Sequence, residues 1–285
     1  MTSKRIQVAA DSVCDLPAEI VRKLDIRIIP TYVNIGDESI PDDGAGLDRQ
    51  AFYRQLPSMS RQPTTAAPSP GEAEAFYRGI LRDGAEKIVS IHVPDKLSGV
   101  LNTMRLGARA VDAERVKLVD SLQLTFGIGF QVWVAAELAV EGAPLNDILG
   151  AIERVRRHTE VYAIIDTMQY LQRSGRVNAL VAGIGTLLKI KPIVRVADGD
   201  ITALARARTR SGAEAKLRSL AQAQAPLDRL AILHIDNRPG AERFLASIRE
   251  IAPKNTHVIE VCPTLGAHIG PGSIGVATLN QDWRN

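Results

Sequence analysis

Apolar positions in this chain gather in short runs, each closed by polar or turn-forming residues and followed by a stretch of helical spacing. Arg5 to Ala10 predicts a short buried strand; Asp11-Ser12 ends it, and Pro17 opens a helix through about Leu24. Ile26 to Ile35 is β-rich but contains Pro30, which puts it at an edge or breaks it. Gly36 to Gly46 predicts an acidic loop. Leu47 to Leu56 predicts a helix with Phe52, Tyr53 and Leu56 on one side, and Pro57 to Pro70 a long loop of Ser, Thr and Pro. A helix over about Gly71 to Leu81 follows. Lys87 to Val93 is the next strand, Pro94 to Gly99 a loop, and a helix runs on through about Val111. Val116 to Val119 is a short strand ending in Asp120-Ser121, and Thr125 to Val140 is a long, nearly all-apolar helix. Strand, loop and helix thus alternate, which implies right-handed βαβ units and a parallel sheet. Ligands of such sheets collect at the carboxyl ends of the strands. Asp11-Ser12, Lys96-Leu97-Ser98-Gly99 and Asp120-Ser121 all fall at that edge.

The second half has a different rhythm. Pro144 to His158 predicts a polar-faced helix bridging to a further domain, Val161 to Ile165 a strand, Gln169 to Arg173 a helix, and Asn178 to Lys189 a small-residue helix. Pro192 to Val196 and Ile201 to Ala205 flank Asp198-Gly199-Asp200, a β-hairpin pattern. Gly212 to Gln224 (helix), Leu230 to Ile235 (strand), Gly240 to Ile251 (helix) and His257 to Val261 (strand) complete a mixed sheet. No internal repeat and no low-complexity tract interrupts this order.

Composition changes the picture little. Of 285 residues, 45% are hydrophobic and 24% charged, which is ample for two cores. The net charge of +3 and the 4% aromatic content give no support to nucleic-acid binding. Cys14 and Cys262 form neither a metal spacing nor a disulfide framework, which fits a reducing cytosol. No apolar run reaches the roughly 20 residues of a membrane helix. The first residues lack a signal-peptide core, since Asp11 and Asp15 interrupt it. The expectation is a soluble cytoplasmic protein with no integral membrane segment.

The residues able to carry chemistry are few and scattered. Gly266-Ala267-His268-Ile269-Gly270-Pro271-Gly272 presents one His on a Gly-rich loop at the foot of an apolar strand. Pro63-Thr64-Thr65 offers adjacent hydroxyls on a stiffened loop, suited to a carboxylate or phosphate oxygen or to capping the next helix. Ser98 stands either as an N-cap or as part of an anion site at a helix N-terminus. Arg173 and Arg176 flank a Gly turn and are placed to hold an anion or a carboxylate such as Asp166. Arg206, Arg208 and Arg210 share one face if extended, a solvated edge or a patch for an acidic partner. The five His have no metal-ligand companions, no P-loop occurs, and Gly183-Ile184-Gly185 lacks the rest of a dinucleotide fingerprint. A Ser98–His268 hydrolase would need a convergence that no G-x-S-x-G elbow announces. The deficit of a nucleophile–base pair favours a binder over a catalyst, with a hydrolase or acyltransferase as the alternative. A binding module for another anionic ligand is a third possibility.

Taken together and in order, these motifs resemble the DegV family of bacterial fatty-acid-binding proteins. The resemblance rests on Asp11-Ser12 with Asp15-Leu16-Pro17, Pro63-Thr64-Thr65 with Pro68-Ser69, Leu97-Ser98-Gly99, Asp120-Ser121, and Tyr170-Leu171 with Ser174-Gly175-Arg176. It continues through Leu187-Leu188-Lys189-Ile190-Lys191-Pro192-Ile193, Arg208-Thr209 and Gly266 to Gly272. It implies two α/β domains, residues 1–158 with a mostly parallel, Rossmann-like sheet and residues 159–285 with a mixed sheet. A long-chain fatty acid would lie between them, its tail threading into the first domain. The carboxylate contacts implied are Thr64 or Thr65, Ser98 and His268, with Gly99, Gly270 and Gly272 shaping the ligand loops. The resemblance also implies a carrier without catalysis, metal or cofactor of its own. Such a carrier presents the carboxylate to a separate ATP-dependent fatty acid kinase subunit, for acyl phosphate bound for phospholipid synthesis, and Arg208 aligns with the partner-facing arginine. Two departures stand out: Val93-Pro94-Asp95-Lys96 replaces the usual Ser-Ser pair before Leu-Ser-Gly, and Thr65-Ala66-Ala67-Pro68 replaces Thr-Ser-Gln-Pro.

Overall fold

The computed structural model describes residues 6–175 and 190–285. The helix expected over Asn178 to Lys189, with Arg176 and Gly183-Ile184-Gly185, lies outside the described residues, as does Arg5. The first half runs β1 (Ile6–Asp11), α1 (Ala18–Lys23), β2 (Arg27–Ile29), β3 (Tyr32–Ile35), β4 (Glu38–Pro41), α2 (Arg49–Gln55), β5 (Thr64–Ala66) and α3 (Pro70–Arg82). It continues with β6 (Lys87–His92), α4 (Val100–Val111), β7 (Val116–Asp120), α5 (Phe126–Val140) and α6 (Leu145–Arg157). The second half runs β8 (Thr159–Ile164), α7 (Gln169–Arg173), β9 (Lys191–Ala197), β10 (Asp200–Ala207), α8 (Arg210–Gln222), β11 (Leu227–His234), α9 (Arg238–Ala246), β12 (Thr256–Glu260), α10 (Pro263–Ile269) and β13 (Ile274–Asn280).

The expected α/β architecture is present. The first half holds a parallel sheet in the order β2-β1-β6-β7. The second holds a mixed sheet in the order β10-β9-β8-β13-β11-β12, antiparallel except for β11 beside β12. Asp198 and Gly199 both take positive φ, 55° and 73°, which suits the two-residue turn of the β9–β10 hairpin. Ser69 and Glu72 form a reciprocal capping box that starts α3 with Pro70 in its first turn.

Two expected loops contribute strands instead. Pro30 does break the β-rich run, but β2 and β3 on either side of it enter different sheets. β3 pairs antiparallel with β4, from the supposed acidic loop, and with β5, from the supposed Ser/Thr/Pro loop. These strands are three or four residues long, too short for an alternation pattern to show in the sequence.

α5 explains how the halves join. Every residue from Phe126 to Ala136 except Trp133 is buried, because the helix lies between the two sheets. Its glycines allow the approach: a Cβ on Gly127 would stand 2.8 Å from Val161 of β8, and one on Gly129 would stand 2.7 Å from the Cys14 carbonyl oxygen. One apolar cluster therefore runs from Ile6 and Val8 through Phe126 and Phe130 to Leu233 and Ala277. A separate cluster under α8 and α9 covers the other face of the mixed sheet, with Leu217, Ile232 and Phe244. We expect Gly129→Ala to overpack this seam and destabilise the protein by about 1–3 kcal/mol in urea unfolding. An unchanged midpoint would mean that α5 is not pressed against the first domain there.

Candidate functional site

Where α5 begins, the two sheets enclose a cavity of about 230 Å³. Its floor is the mixed sheet: Val194, Ala163, Gly275 and Leu233 stand side by side in register across four strands. Its roof comes from the carboxyl ends of the parallel strands: Val13 after β1, Val93, Leu97 and Ser98 after β6, and Leu124 and Thr125 after β7. That edge is where a parallel sheet presents ligands. The apolar floor belongs to the second domain, and Val13, Val93, Leu97 and Leu124 of the first domain close the cavity from the other side. The interior of the first domain is already filled by fully buried Phe126, Phe130, Tyr77 and Met104.

Hydroxyl and imidazole side chains gather around α10 and β5, and Thr125, His234 and Ser273 also line the cavity. The Nε2 of His268 lies 3.0 Å from the hydroxyl of Thr65. One helical turn earlier on α10, Thr264 lines the same cavity, its hydroxyl 2.8 Å from that of Thr31. Thr31 continues to Ser12 at 2.8 Å, and its N–H donates to the Ser12 hydroxyl at 3.1 Å. Ser98 faces the cavity from the roof, its hydroxyl accepting from the Val100 N–H at 3.3 Å. Hydroxyls and an imidazole of this kind suit a carboxylate or another small anionic group. Among the described residues no group of three or more His, Cys, Asp or Glu is arranged to hold a metal ion.

The expected site residues therefore part company. Thr65, Ser98, Gly99 and His268 line the cavity. Thr64 does not: successive side chains of β5 point to opposite faces, and its exposed hydroxyl accepts from Asn34 at 3.2 Å. Gly270 and Gly272 also stand outside the lining, with φ of 83° and 88°. Gly270 ends α10 against the Tyr170 ring, and Gly272 packs on Asp166. Ser273 and Gly275 line the cavity in their place. His268 sits on the last turn of a helix rather than on an open loop. Gly99, not Ser98, is the N-cap of α4, although the Ser98 hydroxyl still accepts from the first helical N–H, that of Val100. Asp11 and Asp120 tie the roof loops, accepting from the Val93 and Leu122 N–H groups at 3.0 Å each. Arg206 and Arg208 are exposed, but Arg210 opens α8, where it pairs with Asp166 and Glu214 and donates to the Gly272 carbonyl at 2.8 Å. Asp166 is held by Lys191 and Arg210 rather than by Arg173, which is exposed.

Sequence reasoning missed Thr31 and Thr264. Pro263 was the available signal, since Pro favours the first position of a helix, and Thr264 and His268 are then four residues apart on one face. It also missed a buried cluster behind them. Asp15 takes the Thr125 hydroxyl at 2.6 Å and the Cys262 N–H at 2.9 Å. Asp42 takes the Thr264 N–H at 2.8 Å. Arg49 stands 3.9 Å from each carboxylate and donates to the Glu260 carbonyl. Burial pushes the Asp15 carboxyl up to about 7, against the pull of Arg49 and Thr125. Burial raises Asp42 as well, opposed first by its bonds from Thr264.

A family model for the DegV family, described as uncharacterised proteins, matches residues 5–281. The chain belongs to the DegV family. Relatives include a DegV domain-containing protein of Streptomyces coelicolor, 32% identical over 98% of this chain and 100% of the relative. Protein DegV of Bacillus subtilis is 30% identical over 95% and 98%. Among solved structures, a DegV family protein from Thermus thermophilus described by its fatty acid binding superposes with a TM-score of 0.87. It is 29% identical, over 97% of this chain and 99% of that one. DegV of Bacillus subtilis, described as a fatty acid binding protein, gives 0.86 at 26% identity over 97% and 99%. Among the described residues of this DegV protein, no helix is long and apolar enough to cross a membrane.

The glycines after α10 offer a direct check. Gly270→Ala places a methyl on the Tyr170 ring at positive φ, and we expect a loss of about 2 kcal/mol or more. Gly79→Ala, in α3 with open space around it, should instead stabilise by about 0.5–1 kcal/mol. Equal midpoints for the two variants in thermal unfolding would contradict the packing of α7 on α10.

Proposed function

We propose that this DegV protein binds a long-chain fatty acid in the cavity between its sheets, as a carrier without catalysis of its own. The carboxylate meets Thr65, Ser98 and His268, with Thr31 and Thr264 beside them, and the tail lies on the apolar floor. The observation that carries this is the division of the cavity into an apolar sheet face and one polar corner. Burying an alkyl chain is worth roughly 0.8 kcal/mol per CH₂, so about a dozen methylenes give on the order of 10 kcal/mol before ordering costs. A carboxylate left unpaired in such a place would cost several kcal/mol, which is why its end needs donors. His268 donates a hydrogen bond and need not act as a base. The two relatives described as fatty acid binding support the same assignment.

The alternative, a Ser98–His268 hydrolase or acyltransferase, is less well supported. Both residues face the cavity, but His268 Nε2 is taken up by the Thr65 hydroxyl and the Ser98 hydroxyl accepts from the Val100 N–H. Mass spectrometry of an organic extract of the purified protein tests the carrier reading. We expect a copurifying long-chain fatty acid, or uptake of added acid at a ratio of about one per chain. Neither copurification nor uptake would refute it.

We further propose that the bound acid is presented in the cytoplasm to an ATP-dependent kinase subunit, giving acyl phosphate for phospholipid synthesis, and that Arg208 docks that partner. Arg208 is exposed between β10 and α8, outside the cavity lining. Arg208→Ala should therefore leave fatty acid affinity within about twofold while lowering coupled phosphorylation about tenfold or more. Unchanged coupled turnover would remove Arg208 from that role.

A further inference from the structure

α10 belongs to the second domain by sequence, yet the first domain holds it. Two buried aspartates bond its opening backbone: Asp15 accepts from the Cys262 N–H and Asp42 from the Thr264 N–H. Tyr53 donates to the Val261 carbonyl at 2.6 Å, Arg49 to the Glu260 carbonyl at 3.0 Å, and Gln62 to the Ala267 carbonyl at 2.8 Å. Asp15 and Asp42 are 5% and 1% exposed, so their carboxyl groups are held by specific partners rather than by water. The backbone is also bent to serve this. Asp15 has φ 53°, and Thr125, which bonds it, has φ 48° with ψ −131°, a conformation that side chains other than Gly rarely adopt. Neither aspartate lines the cavity, whereas Thr264 and His268, at the two ends of the helix they hold, both do.

We propose that Asp15 and Asp42, bridged by Arg49, are positioning residues for the head group. They fix the start of α10 so that Thr264 and His268 stand at hydrogen-bonding distance from a carboxylate in the cavity. This rests on the fatty acid reading given above. Hydrogen bonds to fixed carboxyl oxygens are directional, so they set the height of the helix more sharply than apolar contact alone. The Thr264 hydroxyl in turn meets that of Thr31, which meets that of Ser12.

The test compares a fatty acid with the fatty alcohol of equal chain length, measuring the affinity of the full-length protein for each. The two ligands share the tail and differ in the head group. Wild type should prefer the acid. Asp42→Asn should cut that preference about tenfold by weakening acid binding, with alcohol affinity changed by no more than about twofold. Asp15→Asn should act in the same direction, and it decides the matter if the Asp42 variant does not fold. Equal weakening of both ligands would mark the aspartates as structural only and overturn the proposal. A preference left unchanged or raised would overturn it too, the second because the aspartates would then act by repelling the ligand. Wild type that takes up neither ligand removes the carrier reading itself. Wild type that prefers the acid, beside variants that keep that preference, removes this inference alone.

Discussion

The structure depends on one helix being buried from both sides. α5 keeps the parallel and mixed sheets apart by its own thickness, roughly 10 Å. Along its length Phe126, Ile128, Phe130 and Val132 fill the gap. Beyond its first residue nothing of that bulk remains, and the space between the sheets is lined instead by Leu124, Thr125 and Val161. The cavity is thus the part of the seam that α5 does not occupy. Gly127 and Gly129 set how closely each sheet approaches, and through that how tall the remaining space is.

The hydroxyls and imidazole proposed to meet a ligand end come from elements that converge on this seam. The strand-end loops of the first domain bring Ser98, and β5 brings Thr65. α10 brings Thr264 and His268 from the other domain. No single segment supplies the polar corner, so a ligand end placed there would be read by both halves at once. The ion pair of Lys96 with Asp200, at 2.9 Å, joins the halves on the surface, but both partners are 59% exposed and contribute little. The buried contacts of Asp15 and Asp42 are the ones able to hold the register of the halves at the site.

Much of this was legible in the sequence because periodicity reports burial. The parallel strands are continuous apolar runs, and α5 is apolar on every side, so both announce themselves as interior. The Asp-Gly turn between β9 and β10 was legible for a local reason: the residues themselves favour positive φ. What stayed hidden is tertiary. Thr64 and Thr65 are adjacent and chemically alike, and only the pairing of β5 with β3 decides which one faces inward. The Gly-rich stretch around His268 suggested a loop, because Gly266, Gly270 and Gly272 read as turn residues, whereas Pro263 starts a helix that runs through Gly266 to Ile269. The glycines are there instead for close approach to Tyr53 and Tyr170 and for the turn out of α10. Asp15 showed only as part of a family motif and Asp42 not at all, since a buried carboxylate and a solvated one look the same until the backbone N–H groups they meet are known.

The division of labour between tail and head follows from these placements. An apolar floor of Val, Ala, Gly and Leu gains free energy from any alkyl chain and discriminates weakly among ligand ends. The polar corner contributes less energy, since each hydrogen bond is exchanged for one with water, but it penalises an end that cannot satisfy it. Under the fatty acid proposal, apolar contact would come from the floor and from Val13, Leu97 and Leu124 above it, while selectivity would depend on contacts that cross between domains. A protein built this way would read the ligand's end with both halves. Its selectivity is then only as sharp as the geometry that fixes α10 against the first domain.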